Sequence, residues 1–339
     1  MKKIFILIIP FLMAYTLFAG DESRKGTTAA DQLLIPVGAR GIATGGAFLA
    51  NIKGLESIYY NPAGLDHTKK TEAMFNYMNY IADINISYFA VSTSLGEIGS
   101  IGLSFKSIDA GDIPVTTNDF PDGTGEKYSP SFLVVGLTYS KVLTDRVSVG
   151  TNLKLISESI ENTSATGFAL DVGVQYYFSE ELALGASLKN IGPNLKYSGQ
   201  DLRTQTGVPS SPIGSPNGTY EVVSEAAGIP SYFEISLAYG FLFDEKNNLD
   251  LAATYVANNS LEDQINLGIE YDFMNNFFLR AGYNLQVENA SSNIFGITLG
   301  AGLNYEFGED VGISFDYAFR DVKEFPTSNH IFTVKLAFQ

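Results

Sequence analysis

The sequence has no cysteine, no tryptophan and only two histidines. The missing cysteine excludes disulfides, thiolate nucleophiles and zinc–thiolate sites together. His67 and His330 stand at opposite ends of the chain. Closure of a sheet would bring the segments that hold them together. Even so, no carboxylates flank them at ligand spacing, so no metal is expected. Positive charge is also scarce. Lys and Arg number 21 against 37 Asp and Glu, and a net charge of −16 gives nucleic acid no attractive field. The run Gly123-Thr124-Gly125-Glu126-Lys127 lacks the spacing and the strand-to-helix setting of a phosphate loop. No Gly-x-Ser-x-Gly elbow occurs. Nothing here reads as an enzyme, and no cofactor is called for.

Long apolar runs are missing too, except at the start. Lys2 and Lys3 precede an apolar stretch from Ile4 to Phe18, and Ala19-Gly20 offers a small-residue cleavage point before Asp21. The stretch is shorter than the ~20 residues a membrane helix needs, and Pro10 interrupts it. Residues 1–20 therefore read as a cleaved signal peptide, whose removal takes the net charge to −18. If the remainder crosses a membrane, it does so with strands.

What the chain has in quantity is alternation. Over 311–320 one face reads Val311, Ile313, Phe315, Tyr317 and Phe319, and the other Gly312, Ser314, Asp316, Ala318 and Arg320. Such a period of two marks a strand with unlike faces. Fourteen segments fit: 72–79, 84–95, 98–109, 131–142, 146–158, 165–178, 181–190, 231–242, 248–258, 261–273, 276–287, 295–308, 311–321 and 329–338. Most match or exceed the ~9–11 residues of a tilted membrane strand. Proline cannot donate to a ladder, and every proline beyond Pro10 falls outside these segments.

The connections sort by parity. After even segments they are tight and polar, as at Gly96-Glu97, Ser179-Glu180, Met274-Asn275 and Glu309-Asp310; after odd segments they include the long 110–130 and 191–230. Outer-membrane barrels have short periplasmic turns and long outer loops, whereas a soluble sandwich has no reason to sort its loops. The last segment, with His330, Phe332, Val334, Leu336 and Phe338 on one face, ends on an aromatic beside Gln339. It resembles the C-terminal signal by which barrels are recognised for insertion. The expected fold is all-β: a transmembrane antiparallel barrel of about fourteen strands over 71–339, with both termini periplasmic. With no Trp, Tyr and Phe must supply its aromatic girdles.

Residues 21–70 do not alternate. They contain Gly26-Thr27-Thr28, Val37-Gly38-Ala39-Arg40-Gly41, Gly45-Gly46-Ala47-Phe48 and Asn61-Pro62-Ala63-Gly64-Leu65. So small a segment has little capacity for a core of its own, yet it is apolar enough to need burial. Inside a wide barrel it would pack its backbone on the wall through glycine and alanine. Asn61-Pro62 favours a turn into the first strand. These motifs, in this order, resemble the PorV/PorQ family of outer-membrane proteins and, more distantly, the FadL-like transporters. The resemblance implies a fourteen-strand barrel with an N-terminal hatch in its lumen. The chain departs from that pattern at Asn51-Ile52-Lys53-Gly54, where relatives usually carry an acidic pair, which puts any hatch contact using that acid in doubt.

The expected hatch residues are Arg40, Gly45, Gly46, Asn61, Pro62, Ala63 and Gly64. Arg40 is expected to pair with Glu270 or Asp272, and Asn61 to satisfy backbone groups at the turn. Asp171, Glu270, Asp272, Arg280, Asp316 and Arg320 point inward, lining a polar path or locking the hatch. Two functional readings follow. In the first, the barrel belongs to a type IX-like secretion machinery and binds its subunits or exported cargo. In the second, it is a FadL-like conduit for hydrophobic small molecules. Val91, Val134 and Ile156 are the few apolar candidates for a greasy inner pocket near the outer rim. Outer-membrane lipid is a partner in either case, and an aqueous porin ranks third.

Overall fold

The computed structural model describes residues 26–338 apart from 213, 245, 289–292 and 309–310. The expected signal peptide, the Glu309-Asp310 turn and Gln339 lie outside the described residues. Fourteen long strands make the wall: β1 Thr71–Asn79, β2 Asn85–Ser94, β3 Ser100–Asp109, β4 Ser131–Thr144, β5 Val147–Ile160, β6 Thr163–Tyr177, β7 Leu182–Ile191, β8 Tyr232–Asp244, β9 Asn247–Asn258, β10 Gln264–Phe273, β11 Phe277–Gln286, β12 Phe295–Phe307, β13 Val311–Val322 and β14 Asn329–Phe338. Each pairs antiparallel with its neighbours in sequence, and β1 pairs with β14, Thr71 facing Phe338. The barrel is closed and leaves no open edge.

Alternation sets the two faces. On β3, Ile101, Leu103 and Phe105 stand exposed on the outside, while Ser100, Ser104, Lys106 and Ile108 are buried inside. Repeated around the wall, the outer face is an apolar belt for lipid. Near the short-turn end Tyr and Phe pair edge to face, Tyr239 with Phe241 and Tyr305 with Phe307, ring centroids 4.6 Å apart. β2 corrects one expectation. Its inner face is Ile86, Tyr88, Ala90 and Ser92, so Val91 lies on the outer face with Phe89 and lines no inner pocket.

Both long connections contain structure of their own. Residues 110–130 form a short ladder, Ile113–Pro114 against Lys127–Tyr128. In the other, Arg203–Thr206 pairs with Gly218–Glu221, and Ser198–Gly199 is added to the end of β6.

Residues 28–70 lie inside the wall. Thr28 bridges to Gly228 at the long-loop end, and Asp66 is bonded to Ser100 and Val142 at the short-turn end. The segment thus threads the lumen lengthwise, through helices α1 Ala39–Ala43 and α2 Ser57–Tyr60 and 3-10 turns at Asp31–Leu34 and Pro62–His67. Leu49, Ile52, Leu55, Ile58 and Leu65 are completely buried. At roughly 1.5–3 kcal/mol for each buried side chain, their contacts are a large part of what keeps it there.

Candidate functional site

The site is the interior of the barrel and the way it is filled. Its charged centre joins α1 to three strands. Arg40 forks onto Glu270, Nε donating at 3.0 Å and Nη2 at 2.9 Å. Arg280 donates from Nε to the same carboxylate and from Nη1 to Asp316, both at 2.5 Å. Glu270, Arg280 and Asp316 are all buried. Such pairs bring little net stability when complete but leave a costly bare charge when one member is lost. Asp272, the other expected partner, shares the inner face of β10 but does not bond Arg40, and its Oδ1 is buried without a hydrogen bond. Glu56 is buried beside Gly38. Burial, with Asp316 nearby, pushes its carboxyl up, against the pull of Lys335 and Arg40.

Glycine sets how closely backbone meets wall. Gly45 and Gly46 turn at φ +64° and +74°, a conformation that favours glycine. There Asn284 donates to the Gly45 carbonyl at 2.7 Å and Thr298 to that of Ala43 at 2.9 Å. The wall answers with glycines of its own, which sequence reasoning missed. A methyl group at Gly282 would lie 2.2 Å from the Gly45 nitrogen, at Gly268 2.6 Å from the Thr44 carbonyl, and at Gly150 2.3 Å from the Pro62 backbone. Inside the segment, Gly64 passes equally close to the Ile52 carbonyl.

Asn61 is completely buried. Its Oδ1 accepts from the Ala63 amide at 3.2 Å, capping the Pro62–His67 turn, and Nδ2 donates to the carbonyls of Leu49 and Val174 at 3.1 Å. The chain does not enter β1 directly after Asn61-Pro62: the 3-10 turn comes first. Beyond it, Asp66 accepts from Ser100 at 2.6 Å, the Val142 amide at 2.9 Å and Lys69 at 2.5 Å, and Ser140 donates to the Ala63 carbonyl at 3.0 Å. Asp66 is a second omission of the sequence reading.

The remaining inward charges pair within the wall or reach the segment. Asp171 pairs with Lys154 at 2.6 Å and accepts from the Asn190 amide at 2.9 Å. Lys189 pairs with Glu234 at 3.1 Å and lies over the Tyr59 ring. Arg320 stacks 3.9 Å over Phe295 near the long-loop end, and the Asn329 amide, turned to present its oxygen, accepts from it at 2.7 Å and 3.1 Å. Lys106 donates to the carbonyls of Gln32 and Ile35. These inward lysines were open to the same alternation that exposed the carboxylates. The histidines are not neighbours. His67 meets Ser148 inside the short-turn end at 3.0 Å, while His330 lies on the outer face against Tyr317. Burial, with Lys53 close by, pushes the His67 imidazole down to about 4.

At the long-loop mouth the filling changes character. Ala29, Ala30 and Leu33 of the segment, Val134, Ile156, Ala165 and Ala169 of the wall, and Leu195 and Ile229 of the long connection form one apolar cluster.

The chain has relatives among known proteins. Residues 18–261 match the family described as Type IX secretion system protein PorV. The chain belongs to the PorV family. No curated protein matches it. Among solved structures, this PorV-family chain is similar to the CymD monoaromatic hydrocarbon channel (12% identity, 90% of this chain and 98% of that one, TM-score 0.56). A Pseudomonas aeruginosa FadL homologue gives 13%, 90%, 98% and 0.54 on the same measures, and the Ralstonia pickettii toluene transporter TbuX 12%, 90%, 98% and 0.53. At such identities the likeness is one of fold: the PorV-family chain shares the barrel fold of these channels and of the FadL homologue.

Proposed function

We propose that this PorV-family barrel serves secretion by binding, with secretion-machinery subunits or exported protein as its partners, and that it neither catalyses a reaction nor conducts a solute. The observation that carries the reading is the filled lumen. Residues 28–70 run from one end to the other and are bonded to the wall at the Arg40 network, at Asn61 and at Asp66. A barrel closed by its own chain is suited to presenting a surface. The long connections would form that surface on the extracellular side, with Thr71 and Phe338 at the periplasmic rim. Exposed Tyr220, Val222 and Val223 in the 192–231 connection supply apolar contact area of the kind that marks a partner surface.

The apolar cluster at the long-loop mouth favours the second reading, a conduit for hydrophobic small molecules. That cluster is occupied by the protein's own Leu33, Leu195 and Ile229, which is why binding ranks first. The test is purification from the native membrane with identification of what accompanies the barrel. A stable complex with secretion subunits or exported protein, lost on shortening the 203–221 hairpin, is expected. Bound lipid or aromatic solute with no protein partner, together with solute uptake by vesicles holding the pure barrel, would overturn it.

A further inference from the structure

Between the segment and the short-turn rim lies a cavity of about 250 Å³, smaller than the roughly 300–1,000 Å³ of pockets for drug-sized ligands. Arg40, Asn51, Lys53, Tyr177 and Asp250 line it, and the Glu180-Glu181 turn forms its rim. Part of this lining has no internal partner. Arg40 uses Nε and Nη2 on Glu270, and its Nη1 has no hydrogen bond among the described residues. Lys53 lies over the Tyr177 ring at 5.6 Å and forms no ion pair among the described residues. The Tyr177 hydroxyl and the Asn51 Oδ1 are buried with no hydrogen bond. Buried polar atoms nearly always have partners, and here all of these groups belong to the lining of one cavity.

We propose that this cavity binds a free α-carboxylate, presented by an amino acid or by the C-terminus of a peptide. A carboxylate accepts in a plane from two or more donors. The Nη1 edge of Arg40, already oriented by Glu270, together with Lys53 and the Tyr177 hydroxyl, provides them. The Asn51 carbonyl remains as acceptor for an ammonium or amide N–H of the same molecule. Asp250 in the lining and Glu180 and Glu181 at the rim penalise each added negative charge, so a singly charged carboxylate beside a donor group is favoured over a phosphate. The periplasmic address of the site rests on the sidedness proposed above, whereas binding itself does not.

The test uses the full mature barrel in detergent and titration calorimetry with three probes: glycine, N-acetyl-triglycine, and the same peptide amidated at its C-terminus. Binding of a carboxylate probe and none of the amide is expected. Glycine binding points to a free amino acid as the source, and binding of the acetylated peptide alone to a peptide C-terminus. Lys53→Gln should weaken the bound probe about tenfold and Tyr177→Phe about threefold, in line with loss of a charged and a neutral hydrogen bond. Both variants leave the bonds that fasten the segment at Arg40, Asn61 and Asp66 in place. Unchanged heat-modifiable mobility on gels would show that each variant keeps its fold. No binding of either carboxylate, equal binding of the amide, or undiminished affinity in a folded Lys53→Gln variant would overturn the proposal.

Discussion

The two halves of the luminal segment differ in how much of their fastening is directional. From Val37 to Lys69 directional contacts are added to the apolar burial of Leu49, Ile52, Leu55, Ile58 and Leu65. A guanidinium forks onto Glu270, Asn61 bridges two carbonyls, and backbone runs against wall glycines with no room for a methyl group. From Thr28 to Leu33 the contacts are mostly apolar and shared with Leu195 and Ile229 of the long connection. Directional contacts tolerate no sliding, because a shifted donor leaves a bare buried group. Apolar contacts depend on area and can repack. The long-loop end is thus fastened by the kind of contact that survives rearrangement, and the short-turn end by the kind that forbids it.

The sharpest way to break the comparison is Glu270→Ala. It strands Arg40 and leaves Arg280 with Asp316 alone, and removing one partner from a buried pair costs about 3–5 kcal/mol. Protease added to open vesicles should then cut residues 37–60, which the unaltered barrel protects, and single-channel recording should show openings. Unchanged protection would mean that the network does not hold the segment. At the other end, Leu195→Ala leaves a cavity in a cluster able to collapse, with a cost near the lower limit of ~2–5 kcal/mol. Cleavage is expected near residues 28–35 only, and protection of 37–60 should persist. Loss of protection along the whole segment would erase the distinction between the halves. Asn61→Ala removes a cap and two bridging hydrogen bonds, for roughly 1–2 kcal/mol. The expected sign is partial exposure of 61–67 at raised temperature, read by the same digestion.

The barrel was legible because lipid outside and a polar filling inside give most strands two unlike faces, and every strand bound inferred from alternation lies within three residues of the observed one. β2 shows where this runs out. Ile86, Tyr88 and Ala90 inside resemble Phe89 and Val91 outside, so period two alone does not say which face is which. In the lumen, a lone arginine among small residues of an acidic chain calls for a carboxylate. Glu270 and Asp272 lie on the same face of one strand, however, and only depth in the barrel separates them. The wall glycines were invisible for a different reason. In a strand, a small inward residue reads the same whether backbone or water lies over it. Gly150, Gly282 and Gly268 acquire meaning only once Pro62, Gly45 and Thr44 are seen against them.

The smallest effect tests how the directional half shares its load. Lys69 is half-exposed and bonds the buried Asp66 at 2.5 Å. An ion pair with one partner in water contributes only about 0.2–1 kcal/mol. Lys69→Met should therefore leave protection at neutral pH nearly intact, since Ser100 and the Val142 amide still bond the carboxylate. Acid should reveal the difference. Burial pushes the Asp66 carboxyl up, but Lys69, Ser100 and Val142 together outweigh it and hold the group below its ordinary 3.8. A depressed folded-state value means that the stabilisation is complete above the ordinary range and is lost as pH falls through the lower, folded one. Without Lys69 that folded value rises, so the acid-induced exposure of 61–69 should begin at higher pH in Lys69→Met than in the parent. Identical acid profiles would assign the depression to Ser100 and Val142 alone and leave Lys69 no part in fastening the short-turn end.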